Sequence, residues 1–225
     1  MGSVTIAVFS DDEAERLGES KPNLRRLLFN SSQAVQQIAR RPFFASVIAK
    51  AIPQDAEPKT EADLINAWWL RAGHDAMAET VPQRQRALID LAEKGVRNLG
   101  KEILVRDLKP ETVAQLAALE ADNIIRLERA GAMVSFTHDI FFEWGFFRLL
   151  IELGDQWASA IAAAGEPPLL GRVVGLLAQD ALTEHGRWTA ALVQLENSSL
   201  RAQWKREWLT APPFTNAFES AIDEF

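Results

Sequence analysis

Thr137-His138-Asp139 stands immediately before a long apolar and aromatic run, "IFFEWGFFRLLIEL". Two readings of the triplet follow from its residue types. Thr137 or Asp139 can cap a helix by accepting its first free N–H groups, which leaves His138 as a half-exposed bystander. Alternatively, a helix start is already an anion site, and an imidazole placed there adds a donor aimed at phosphate. A second pattern, "GVRNLGKE", runs from Gly95 to Glu102 and matches G-x-x-x-x-G-K. It fails at Glu102, where a phosphate loop needs a Ser or Thr hydroxyl for Mg²⁺. Its flanks are also inverted, because the helical pattern "RALIDLAEK" precedes it and the strand-like "EILV" follows. The segment therefore predicts a helix ending at Gly95 and a turn.

The remaining chemistry-bearing residues do not converge. His74 and His185 are far apart and lack the spacing of a zinc site. Glu143 and Glu152 lie in the aromatic run with nothing else to complete acid–base chemistry, so a solvated helix face is expected for them. "RAQWKREW", residues 201 to 208, mixes basic and aromatic residues and is the best nucleic-acid candidate. The competing expectation makes Trp204 and Trp208 core anchors, since residues four apart share a helix face.

Bulk properties restrict the function further. The 225 residues are 48% hydrophobic, which supplies a substantial core. Formal charge is −7, which repels a polyanion unless the basic residues gather on one face. No cysteine is present, so disulfides, thiolate metal sites and cysteine nucleophiles are excluded. That composition suits a reducing compartment and makes cytoplasm the expectation. No apolar stretch approaches the roughly 20 residues of a membrane span.

The elements that must position these residues read as mostly helical. "VTIAVF", residues 4 to 9, alternates like a short strand, and Ser10 with Glu13 forms a capping box for the helix after it. Two helical patterns follow, and Pro42 should end or kink the second at Arg41. Thr60 and Asp63 form another capping box before "EADLINAWWLRAG", where Trp68 and Trp69 read as core. Next come a helix over "PQRQRALIDLAEKGVR", an extended "EILVRD", and a helix over "KPETVAQLAALEADN". The runs "IIRL" and "MVSF", separated by a charged turn with Gly131, predict a hairpin. Helix, short strand, helix and hairpin is the order of a winged helix. From Asp139 onward the pattern is helical, with loops at "GEPPLLG", "EHGRW" and "ENSSLR".

Three segments carry a family resemblance. "IARRPFFASVIAKAI" looks like a lid helix whose proline packs near adenine. "TEADLINAWWLRAG" is similar to the acidic-aromatic helix that follows such a lid. "AGAMVSFTHDIFFEWGFFRLLIEL" looks like the end of a winged-helix domain, where a histidine-aspartate pair precedes an aromatic helix. In this order they resemble the region after the nucleotide-binding core of STAND-type P-loop NTPases. That family includes NACHT proteins, the apoptosome and plant disease-resistance ATPases, and bacterial signalling and anti-phage ATPases. The resemblance spans roughly residues 4 to 153.

The resemblance implies that His138 contacts the β-phosphate of bound ADP and that Pro42 borders the base. The departure is that neither a Walker A lysine nor a Walker B strand is found, so ATP or ADP with Mg²⁺ is expected only where a P-loop core completes the site. The expected fold is mainly α: the end of an NTPase core and a lid-like helical bundle over residues 1–80, a winged-helix-like module with a small hairpin over 81–153, and helical hairpins over 154–225. The expected function is regulatory: clamping nucleotide and coupling it to a helical sensor or effector arm, without catalysis by these residues alone. The expected partners are the protein's own upstream NTPase domain and downstream repeats, with oligomerisation in the parent protein and no membrane. Two alternatives stand beside it: an adaptor of winged helix and helical hairpins with no nucleotide role, and a winged-helix nucleic-acid binder. The candidate recognition helix weakens the last, since it carries Glu111, Glu120 and Asp122 and no Arg or Lys.

Overall fold

The computed structural model describes residues 8–51, 57–72, 77–212 and 218. Most of the expected strand over residues 4 to 9 lies outside them, and so does His74. The fold is mainly α-helical with one small three-stranded antiparallel sheet. It divides into two compact units, Met1–Ala78 and Glu79–Phe225. No helix of the described residues is long and apolar enough to cross a membrane.

The first unit contains α1 (Asp11–Ser20), α2 (Pro22–Phe29), α3 (Gln33–Ala39), α4 (Pro42–Ala51) and α5 (Glu61–Leu70). Local chemistry sets most of these boundaries. Ser10 and Glu13 form the reciprocal capping box at the start of α1, and Thr60 and Asp63 repeat it for α5. Pro42 opens α4 after Arg40 and Arg41 break the chain from α3; a proline lacks the N–H that a first helical position leaves unused anyway. Leu24, Leu28, Val35, Leu64, Ile65 and Trp68 are sealed from solvent, and Trp69 joins them. The tryptophan pair is therefore core, as expected.

The second unit begins with α6 (Val81–Gly95) and continues through β1 (Ile103–Leu104), α7 (Pro110–Val113) and α8 (Leu116–Ala121). The hairpin of β2 (Ile125–Glu128) and β3 (Met133–Phe136) then leads into α9 (Asp139–Leu153). Sheet order is β1-β3-β2, with Ile103 opposite Val134 and Leu127 opposite the same residue from the other side. The helix expected over "KPETVAQLAALEADN" is two short helices instead. Asp90, buried on α6, explains the first of them: its Oδ2 accepts from the Lys109 N–H at 3.1 Å and the Thr112 hydroxyl at 2.7 Å. A carboxylate from another element thus does what an N-cap side chain does locally. Arg84 of α6 pairs with Asp122 just beyond α8, so one helix anchors both ends of the pair of short helices.

Helices α6 and α9 pack closely because Gly145 has no side chain. A Cβ there would stand 3.2 Å from both the Ala92 Cβ and the Leu88 carbonyl oxygen. Phe141, Phe142, Trp144, Phe146, Phe147 and Leu150 of α9 are all buried. The aromatic run is hydrophobic core rather than a ligand box. Gly154, at φ +51°, ends α9. Beyond it lie α10 (Trp157–Ala163), α11 (Gly171–Ala181), α12 (Arg187–Glu196) and α13 (Ala202–Thr210). Helix α9 packs on α10 and α11, and α11 in turn packs on α12 and α13.

Candidate functional site

His138 is the N-cap of α9, and it does the capping itself. Its Nδ1 accepts the Ile140 N–H at 3.2 Å, while its carbonyl accepts the Phe141 N–H at 3.0 Å. The two residues expected to cap are otherwise engaged. The Thr137 hydroxyl donates to the carbonyls of Asn123 at 2.6 Å and Ile124 at 3.1 Å, which stitches the end of β3 to the start of β2. Asp139 is the first helical residue, and its carboxylate lies 3.4 Å from the Lys101 ammonium. A neighbouring turn and a neighbouring cation have thus taken the oxygens away from the cap, and the imidazole fills it.

This geometry fixes the chemistry of the ring. Acceptance at Nδ1 requires the ring hydrogen on Nε2, so the neutral imidazole carries its donor on the edge away from the cap. Partial burial holds the His138 pKa below its ordinary value of 6.5; Asp139 opposes that and Arg172 adds to it. Protonation would turn Nδ1 into a donor and break the cap. The favoured state is the neutral ring.

The G-x-x-x-x-G-K segment meets the histidine here. The segment is a turn after a helix, as its flanks indicated, and it is followed by a strand. Gly95 differs in detail from the expected terminator. It is the last helical residue with right-handed backbone, and Leu99 and Gly100 supply the left-handed positions instead. A Cβ on Gly95 would meet the Gly100 Cα at 2.9 Å, so close approach explains this glycine. Gly100 has φ +78°, and a Cβ on it would stand 2.7 Å from Phe136 Cδ2 and from Phe142 Cβ. Its carbonyl accepts the Phe136 N–H at 2.8 Å. The turn therefore lies flat against the start of α9, which brings Lys101 beside Asp139. Only the fold brings these two sequence patterns together.

The first-turn N–H groups of Ile140 and Phe141 are bonded to His138 already, so an anion at this helix start would meet the imidazole Nε2–H rather than those two backbone groups. Lys101 and Arg172 bring positive charge, but Asp139 and Glu143 pair with them. Among the described residues no group of three or more His, Asp or Glu could hold a metal ion.

Pro42 belongs to the other unit. It is half-buried at the start of α4, next to Arg41, whose guanidinium lies 5.4 Å from the Phe44 ring centre. His185 is exposed in the turn before α12. Glu143 pairs with Arg172 of α11, and Glu152 is exposed. In "RAQWKREW" both tryptophans are buried and cannot stack on bases. The Trp204 indole donates to Glu166 at 2.7 Å, Arg201 lies 3.8 Å from the same carboxylate, and Lys205 pairs with Glu196.

Comparisons with protein-family models, curated proteins and solved structures find no match for this chain.

Proposed function

We propose that this chain is the regulatory region of a STAND-type ATPase, in which residues 81–153 form a winged-helix module and His138 donates from Nε2 to the β-phosphate of ADP held by a P-loop core. The observation that carries this reading is the N-cap position of His138, because a ring whose Nδ1 is fixed by its own helix is held in one orientation and one tautomer. The order α6, β1, α7, α8, β2, β3, with the first strand beside the last, supports the module. Pro42, at the start of α4, is the residue proposed to border the base.

These residues clamp nucleotide and couple its state to the helices that follow α9; they do not perform phosphoryl transfer, which needs a phosphate-loop lysine and Mg²⁺ ligands. The test is turnover by the purified 225-residue chain with ATP and Mg²⁺, alongside its Lys101→Ala variant. No turnover is expected from either. Turnover that Lys101→Ala abolishes would overturn the proposal, because the G-x-x-x-x-G-K turn would then be a working phosphate loop.

A further inference from the structure

A cavity of about 390 Å³ lies within the second unit, bounded by the end of α9, α10, α11, α12 and α13. Its inner wall is apolar: Leu150, Trp157, Leu177 and Trp208 line it and are all buried. Trp157 and Trp208 are stacked with ring centres 5.3 Å apart and form its aromatic face. Two charged residues also line it, Asp155 and Arg187. They differ in what they already hold.

Arg187 faces Asp180 at 3.0 Å and Glu184 at 3.8 Å, so its charge is matched. The Asp155 backbone carbonyl accepts from Gln194, but its exposed carboxylate has no hydrogen bond or ion pair among the described residues. Of the two charged residues on the lining, Arg187 is therefore matched by carboxylates that are not part of it, and Asp155 is the unmatched one. An unmatched carboxylate beside the cavity disfavours an anion there and favours a cation.

We propose that this cavity binds a small organic ammonium ion with an apolar body, the body against Trp157 and Trp208 and the ammonium on Asp155. The volume suits a ligand of this size, and sites of this kind pair apolar walls with a few polar groups that set orientation. The site is independent of His138 and of the nucleotide reading.

The experiment titrates the 225-residue chain with n-hexylammonium, hexan-1-ol and hexanoate, following tryptophan fluorescence. Hexylammonium is expected to give a saturable change and to bind more tightly than hexanol, with hexanoate weakest. Asp155→Asn is expected to weaken hexylammonium by roughly three- to fivefold, the size of an exposed ion pair, and to leave hexanol unchanged. Ala191→Leu, which narrows the cavity from α12, is expected to weaken both. Hexanoate binding as tightly as hexylammonium, an unchanged hexylammonium affinity in Asp155→Asn, or no saturable change with any probe would each overturn the proposal. Far-ultraviolet circular dichroism confirms that each variant is folded.

Discussion

His138 can be separated from the helix it starts by exchange for asparagine, which caps well but has no imidazole. In urea unfolding, His138→Ala is expected to lose about 1 kcal/mol, the usual size of a lost cap, and His138→Asn to lose much less. The pH dependence has a definite sign. The folded pKa of His138 lies below 6.5, so its contribution to stability is present above 6.5 and is lost as pH falls through the lowered folded value. Glu166 acts in the same direction at lower pH. The Arg201 N–H and, less strongly, the Trp204 indole hold its pKa below 4.5, so its contribution is present above 4.5 and disappears as pH falls through the folded value. Urea midpoints measured across the range from neutral to acid should fall in both windows, and His138→Asn should remove the upper one. Gly100→Ala should destabilise by about 1–3 kcal/mol, since it forces a side chain into a left-handed backbone already against two phenylalanines.

At the scale of elements, Asp90 is the residue on which the α7 start depends. Asp90→Ala leaves the Lys109 N–H and the Thr112 hydroxyl without their acceptor and should destabilise by about 1–3 kcal/mol, read as a lower urea midpoint. Adding Thr112→Val should cost less than the two single changes together, because they share one interaction. The sequence carried the local signals here: both capping boxes, the break in the helical pattern before Pro42, the hairpin and the loops between later helices follow from residue types a few positions apart. It did not carry the break between α7 and α8, because the carboxylate that starts α7 comes from α6. For the same reason residue types alone point to Thr137 or Asp139 as the cap of α9. Their oxygens are engaged by Asn123, Ile124 and Lys101, partners that only the fold supplies.

For the molecule as a whole, two compact units each with a buried core predict that residues 79–225 unfold cooperatively when produced alone, monitored by circular dichroism in urea. The phosphate contact of His138 is read on the full-length product of the reading frame that encodes these residues. ADP that co-purifies with the protein is measured for the wild type and for His138→Asn. ADP is expected to be retained by the wild type and lost from His138→Asn while that variant remains folded. Equal retention by the two folded proteins, or no ADP in the wild type, would contradict it.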